Sequence, residues 1–223
     1  MGNLAARPPD VTPMGKSDEI LDAVRVYYSD KIVAHGATAR GVDWNSTESQ
    51  RVRFRELLRV CGDGPIGSLN DFGCGYGALH DFLGESGRPT DYRGFDVSAA
   101  MLEEARRLHP QIPPERFVHA IEELPEADFT VASGIFNVKL NALVDDWKGY
   151  VAATIDQLAS RSRKGFAFNM LTSYSDRDRM RDDLYYGDPC FYFDLCKRKH
   201  SRWVSLLHDY GLYEFTIIVK LEV

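Results

Sequence analysis

Three glycines and an aspartate within one short segment are the clearest sign of chemistry in this sequence. Residues 70–82 read NDFGCGYGALHDF, so Gly73, Gly75 and Gly77 follow Asp71 at every second position. Glycine tolerates positive φ and removes Cβ from the path of a ligand, although it costs conformational entropy on folding. The segment therefore predicts a loop whose backbone approaches a bound molecule closely.

Two kinds of ligand fit this loop, because open α/β sheets bind ligands where a strand ends and a helix begins. Read as Gly73-x-Gly75-x-x-Ala78, with Asp96 further along the chain, it satisfies a dinucleotide fingerprint. Read from Asp71 onward, it fits a cationic cofactor, since a carboxylate there would repel a pyrophosphate and attract an ammonium or sulfonium group. The sign of the charge favours the cation, and NAD stays open as the alternative.

The elements that must position this loop alternate between strand and helix patterns, which predicts a sheet with helices on both faces. Strands are predicted near 68–73, 91–97, 115–120, 128–135 and 164–171, and helices near 77–85, 98–108 and 141–161. Residues 201–208 and 212–220 predict a terminal antiparallel hairpin, which brings the strands to seven. A helix over 197–209 is the alternative, and it leaves six strands.

The chain divides into four parts by pattern. Residues 1–16 predict a flexible tail, and residues 17–66 predict two helices that cap the active site, the first capped by Ser17 and the second by Ser46 or Thr47. Residues 67–223 form the predicted catalytic domain. Within it, residues 172–188 are expected to form an inserted lid, because 175–183 are almost wholly charged.

Composition restricts the partners. The 223 residues are 44% hydrophobic and carry a formal net charge of -6, which argues against nucleic acid as a partner, because nucleic-acid binders need a positive surface. The four cysteines lack metal-ligand spacing, so no metal is expected. The sequence shows neither a signal peptide nor an apolar run long enough to span a bilayer. We expect a cytoplasmic monomer or homodimer that binds a small molecule.

These features together resemble those of the class I S-adenosylmethionine-dependent methyltransferases. The resemblance covers about residue 68 to the C-terminus and rests on the motifs NDFGCGYGAL, YRGFDVSAAML and DFTVASGIF. It implies a seven-stranded, mostly parallel, doubly wound Rossmann-like sheet with a reversed last strand and a helical N-terminal cap. It also implies the cofactor S-adenosyl-L-methionine.

The resemblance further implies where the cofactor lies. Asp71 would face the methionine amino group through water, and Asp96 would accept both ribose hydroxyls, a task that suits a carboxylate. The family often has an aspartate near Ala120, and its absence leaves the adenine amino group to Glu122 or to backbone groups. The remaining cofactor contacts would be Gly73, Gly75 and Gly77 at the methionine and ribose, Val97, Met101, Ala120 and Ile121 at the adenine, and Gly134 and Ile135 beneath the cofactor.

Methyl transfer is an in-line displacement at the sulfonium methyl group, and it needs a base only if the acceptor is an alcohol or a protonated amine. His35 is the preferred base, with Tyr28 and Tyr186 as the other catalytic candidates. Equally, Tyr28 could be a core residue and His35 a solvated one. The candidates for acceptor binding are Lys31, Trp44, Phe136, Asn137, Lys139 and Tyr185.

The sequence thus predicts an S-adenosylmethionine-dependent methyltransferase that acts on a small molecule, with O-methylation slightly favoured over N-methylation. One alternative is an NAD-dependent oxidoreductase. The other is a domain that binds S-adenosylmethionine for regulation and catalyses nothing.

Overall fold

The structure, a computed structural model, describes residues 15–42 and 46–222. The described residues form six α-helices and seven β-strands. The helices are α1 (Lys16–His35), α2 (Thr47–Leu57), α3 (Ala78–Ser86), α4 (Ala99–Leu108), α5 (Val144–Ser160) and α6 (Pro189–Lys199). The strands are β1 (Gly67–Phe72), β2 (Thr90–Phe95), β3 (Phe117–Val118), β4 (Ala127–Ala132), β5 (Ser162–Leu171), β6 (Trp203–Leu207) and β7 (Glu214–Lys220).

All seven strands form one sheet in the order β3-β2-β1-β4-β5-β7-β6. Strands β1 to β5 pair in parallel, whereas β7 runs antiparallel to both β5 and β6. The predicted fold class is confirmed, including the terminal hairpin. A helix over 197–209 is wrong, because α6 ends at Lys199 and β6 begins at Trp203. Strand β3 is much shorter than the predicted 115–120.

Each face of the sheet is covered by a separate layer of helices. In β5, Phe166 and Phe168 pack towards α5 and α6, where Trp147 and Tyr192 are fully buried. Ala167 points to the opposite layer, which α2, α3 and α4 complete. A sheet that is buried on both faces explains why its strands are nearly continuous apolar runs.

Side chains at the helix starts fix where the site-forming elements begin. Ser98 Oγ accepts a hydrogen bond from Met101 N (3.3 Å) at the start of α4, and Ser46 Oγ accepts one from Ser49 N (3.1 Å) at the start of α2. Helix α1 begins one residue before the predicted cap, Ser17, and its N-cap is Gly15.

Helix α1 lies against α4 and α5, and α2 lies against β5, β7 and α3. Ser29 Oγ on α1 is 2.8 Å from Ser98 Oγ, and Lys16 Nζ is 2.9 Å from Asp146 Oδ1 on α5. The two N-terminal helices are therefore packed on the sheet and its helices. The division into a cap, a catalytic domain and a lid at 172–188 stays a prediction.

Candidate active site

The glycine loop between β1 and α3 is held against the end of β2. The amides of Gly73 and Cys74 both donate to the carbonyl oxygen of Phe95, at 2.8 and 2.9 Å. Gly73 has a φ of 81° and Gly75 a φ of 53°, in the left-handed region that favours glycine. A Cβ on Gly73 would also collide with the side chain of Ile135. The loop thus needs glycine for its conformation and for its close packing.

Asp96, which follows β2, fixes this loop from the other side. Its Oδ2 accepts a hydrogen bond from Gly75 N, and its Oδ1 accepts one from Ser98 N, both at 2.8 Å. Burial raises the pKa of Asp96, while the two backbone amides lower it. A carboxylate has about four lone-pair positions, so two amide bonds leave acceptor capacity on the same side chain.

Asp71 at the end of β1 is the second buried carboxyl group. It is 2% exposed, and its Oδ2 accepts a hydrogen bond from the phenol of Tyr92 at 2.8 Å. Burial raises the pKa of Asp71 to about 7, against the lowering effect of Tyr92, and the charge of Asp96 raises it further. Two acidic groups in a poorly solvated site favour a positively charged ligand, because such a ligand would offset the cost of ionising them.

Both carboxyl groups line a cavity of about 490 Å³ at the carboxyl edge of the parallel strands. This volume is typical of small-molecule sites. Ten of the eleven predicted cofactor residues line it: Asp71, Gly73, Gly75, Asp96, Val97, Met101, Ala120, Ile121, Gly134 and Ile135. Gly77 lies behind the loop, where a Cβ would press on the ring of His109.

The cavity has two ends of different character. At one end Val97, Ile121 and Tyr150 pack on the same apolar cluster, with Glu122 at the rim. Burial raises the pKa of Tyr150 to about 12, and the charge of Asp96 contributes to this. This end suits a flat apolar ring beside an acceptor for hydroxyl groups.

The other end lies between the glycine loop and α2. Tyr76, Gln50 and Phe54 line it, and the phenol of Tyr76 interacts with the Gln50 side chain. Burial raises the pKa of Tyr76, so its hydroxyl group is neutral at pH 7. This end offers neutral hydrogen-bonding groups beside an aromatic wall.

Of the predicted acceptor-side residues in the described part of the cap, Tyr28 lines the cavity, and Lys31 and His35 do not. Helix α1 extends to His35, which is the last residue of the helix and is exposed. Lys31 Nζ lies 5.2 Å from the centre of the Tyr27 ring. Trp44 lies outside the described residues. The geometry thus gives no support to His35 as a base, and that role stays a prediction.

The predicted acceptor residues that follow β4 contribute to the packing of this segment against residues 171–188. The Asn137 side-chain oxygen accepts a hydrogen bond from Leu171 N (3.0 Å), and its carbonyl oxygen accepts one from Tyr185 N (2.7 Å). Phe136 is fully buried, and Lys139 Nζ donates to Leu140 O at 3.2 Å.

The two tyrosines of the predicted lid also make hydrogen bonds within the protein. Tyr185 is buried, with its hydroxyl oxygen 2.9 Å from that of Tyr192, and Tyr186 accepts a hydrogen bond from Arg181 N at 3.0 Å. Neither tyrosine lines the cavity, and nor do Phe136, Asn137 and Lys139. Their predicted roles in binding and catalysis stay predictions that this geometry does not support.

Sequence reasoning missed a set of residues that line the cavity from the helices. Tyr150, Thr154 and Gln157 of α5 recur at helical spacing, and this periodicity was a signal that could have found them. The remaining missed lining residues, from the helices, the strand ends and the loops, are Ser17, Asp18, Leu21, Val24, Val42, Gln50, Phe54, Phe72, Cys74, Tyr76, Ala78, Phe95, His119, Ser133 and Ala153.

Comparisons with known proteins agree with this site. A family model described as "Methyltransferase domain" matches residues 70–154. A protein of Mycobacterium tuberculosis named "Putative methyltransferase Rv1506c" is 56% identical over 163 residues, which cover 73% of this chain and 98% of that protein.

Solved structures share the fold. The N-methyltransferase NodS of Bradyrhizobium japonicum, in complex with S-adenosyl-L-homocysteine, matches with a TM-score of 0.61 and 13% identity, over 88% of this chain and 97% of NodS. Human N-acetylserotonin methyltransferase, in complex with SAM, matches with a TM-score of 0.53 and 15% identity, over 93% of this chain and 67% of that one.

The fold and the site define a class I S-adenosylmethionine-dependent methyltransferase, as the sequence predicted. The identity of 56% to the relative from Mycobacterium tuberculosis, over 98% of that protein, establishes that the two proteins belong to one family. The chain belongs to the methyltransferase family, and it is an enzyme with S-adenosyl-L-methionine as its cofactor. The family assignment decides against the NAD-dependent alternative and against a domain without catalytic activity.

Proposed function

We propose that this enzyme transfers a methyl group to a hydroxyl oxygen of a small, uncharged molecule. The observation that carries the proposal is the lining of the cavity, which among the described residues includes neither lysine nor arginine. An anionic acceptor would be left without a cationic partner beside Asp71 and Asp96, and burying an unpaired charge is costly. A neutral acceptor avoids that penalty.

The cofactor site fits the residues that surround it. When bound, S-adenosylmethionine supplies an electrophilic methyl group on a positively charged sulfur. Asp71 would provide a negative charge for the cationic part, and Asp96 would accept hydrogen bonds from the ribose hydroxyls with the lone pairs that Gly75 N and Ser98 N leave free. Val97, Ile121 and Tyr150 give the adenine ring apolar surfaces. Glu122 at the rim would accept a hydrogen bond from the adenine amino group.

We infer that the acceptor binds at the end of the cavity that Gln50, Phe54 and Tyr76 line. Neutral phenol and amide groups there can orient a hydroxyl group by hydrogen bonds, and Phe54 can hold an apolar body. Positioning of this kind can supply on the order of 7–11 kcal/mol of the barrier reduction. Because the pKa values of Tyr76 and Tyr150 are raised, neither phenol serves as a base at pH 7. Phenolic acceptors, which lose a proton more readily than alcohols, therefore fit this site best.

An amine is the second candidate acceptor, and one observation favours it. Asp18 and Glu122 add two exposed carboxylates to the lining of the cavity, and these would attract an ammonium group. An ammonium group must lose a proton before it can attack the methyl group. We place it second because an ammonium group would bring a second positive charge close to the sulfonium group of the cofactor.

A methyl-transfer screen with radiolabelled S-adenosylmethionine tests the proposal. The panel contains phenols, aliphatic alcohols, amines and carboxylic acids of matched size, together with transfer RNA. We expect phenols to accept the label best and carboxylic acids and RNA to accept none. Exclusive labelling of carboxylic acids or amines would contradict the proposal. An Asp71→Asn variant, with weakened cofactor binding, controls for contaminating activity.

A further inference from the structure

Outside the cavity, two histidines and an aspartate converge between α3 and the end of α4. His80 and Asp81 lie in the first turns of α3, and His109 follows the last residue of α4. One ligand atom from each side chain lies within 4.8 Å of the others. None of the three lines the cofactor cavity.

The hydrogen bonds of His109 determine which of its nitrogens can bind a ligand. Its side chain is 4% exposed, and Nε2 lies 3.1 Å from the carbonyl oxygen of Tyr76. A carbonyl oxygen only accepts, so Nε2 carries a proton, and Nδ1 is the nitrogen that can bind a ligand. Metal-binding histidines are commonly oriented in this way, with the second nitrogen donating to a backbone carbonyl.

Two other possible ligand atoms lie near Nδ1 of His109. Nδ1 of His109 is 3.5 Å from Asp81 Oδ1, and Nδ1 of His80 is 3.7 Å from the same oxygen. Nδ1 of His80 is buried and has no hydrogen-bond partner among the described residues. A cation between His80 Nδ1, His109 Nδ1 and Asp81 Oδ1 would interact favourably with all three atoms.

We propose that His80 Nδ1, His109 Nδ1 and Asp81 Oδ1 bind a zinc ion. Zinc bonds of about 2.0–2.2 Å to nitrogen and oxygen place tetrahedral ligand atoms about 3.4 Å apart. The two separations from Asp81 Oδ1 are close to this value. The Asp81 side chain is 61% exposed, so water can reach the fourth position. Imidazole and carboxylate ligands suit zinc better than Mg²⁺, which prefers oxygen ligands alone.

The position of this zinc site connects it to the cofactor loop. His109 hydrogen-bonds to the carbonyl of Tyr76 and packs behind Gly77, and Tyr76 lines the cavity. A bound ion would fix His109 and therefore the loop that carries Tyr76. The site would support the loop and take no part in methyl transfer.

Calorimetry with zinc chloride on the metal-depleted enzyme tests the proposal. We expect one Zn²⁺ per chain, no heat from MgCl₂, and a higher melting temperature with Zn²⁺. Asp81→Asn and His80→Gln should each weaken binding by more than about 100-fold, since even indirect changes around a metal cost 10–100-fold. Asp156→Asn, beside His200 on the opposite layer, is the matched control and should leave binding unchanged.

Cobalt substitution distinguishes this site from the four free cysteines. Co²⁺ bound by two imidazoles and a carboxylate gives visible bands without the thiolate charge-transfer band in the near ultraviolet. The proposal is overturned by the absence of stoichiometric Zn²⁺ binding, by unchanged binding in Asp81→Asn and His80→Gln, or by a thiolate band.

Discussion

Replacing Asp71 with asparagine should stabilise the free enzyme at pH 8. The side chain is 2% exposed and accepts a hydrogen bond from the phenol of Tyr92 at 2.8 Å. Asparagine has nearly the same size, and its carbonyl oxygen can accept that hydrogen bond. The substitution therefore removes the buried charge and leaves the packing in place.

The magnitude follows from the pKa of Asp71, which burial raises from 3.8 to about 7. Because the folded state binds this proton more tightly than the unfolded chain, the contribution to stability is complete below pH 3.8 and is lost as the pH rises to about 7. At 1.36 kcal/mol per pKa unit, the loss is up to about 4 kcal/mol at pH 8. The asparagine variant has no proton to lose, so its stability should exceed that of the wild type by up to this amount at pH 8, and by little at pH 4.

Urea unfolding followed by circular dichroism at pH 4 and pH 8 measures the difference. The matched control is Asp209→Asn, which removes an exposed carboxylate between β6 and β7 and should not change the pH dependence. The reasoning is refuted if Asp71→Asn is less stable than the wild type at pH 8, or if the two proteins differ equally at both pH values. A functional carboxylate that costs stability in the free enzyme is an expected trade-off.

Two further predictions concern the cap. Arg53 on α2 binds Glu214 on β7 through Nη2–Oε1 (2.5 Å) and Nε–Oε2 (2.8 Å), and both side chains are buried. Glu214→Gln should therefore reduce the free energy of unfolding by about 3–5 kcal/mol, measured in urea, and an unchanged value would contradict a buried ion pair there. In the cavity wall, Tyr28→Phe should lower kcat/KM by up to about tenfold, the effect of one hydrogen bond, whereas His35→Ala should leave it unchanged. A loss of turnover in His35→Ala at unchanged cofactor affinity would instead support His35 as the base.

The fold and the cofactor side of the site could be predicted because their signals are local. A strand end, three glycines and a helix start are consecutive in sequence, and the chain alone determines that Asp71 and Gly75 share an edge with Asp96 after the next strand. Gly211, between two segments in which apolar and polar residues alternate, indicates the hairpin. Ser98 caps α4 at a position where serine is a favoured residue.

The acceptor side could not be predicted in the same way, because it depends on how helices pack across the sheet. Helical spacing placed Tyr28 and His35 on one face of α1, but only the packing of α1 on α4 and α5 decides which of them reaches the cavity. Phe136 follows β4 as a cavity residue would, yet it turns into the core against Phe168. Helical spacing places Tyr150, Thr154 and Gln157 on one face of α5, but only the packing of α5 on the sheet turns that face towards the cavity.

The account depends on an ionised Asp71 that stabilises the ammonium group of the cofactor. Binding of S-adenosylhomocysteine, which keeps that ammonium group and lacks the sulfonium, tests this most directly as a function of pH. With a pKa of about 7 for Asp71, calorimetry on the wild type should show affinity that rises about tenfold from pH 6 to pH 8, as the carboxyl group ionises. Asp71→Asn should bind more weakly, with no such rise. Equal affinity of the two proteins at both pH values would contradict the account.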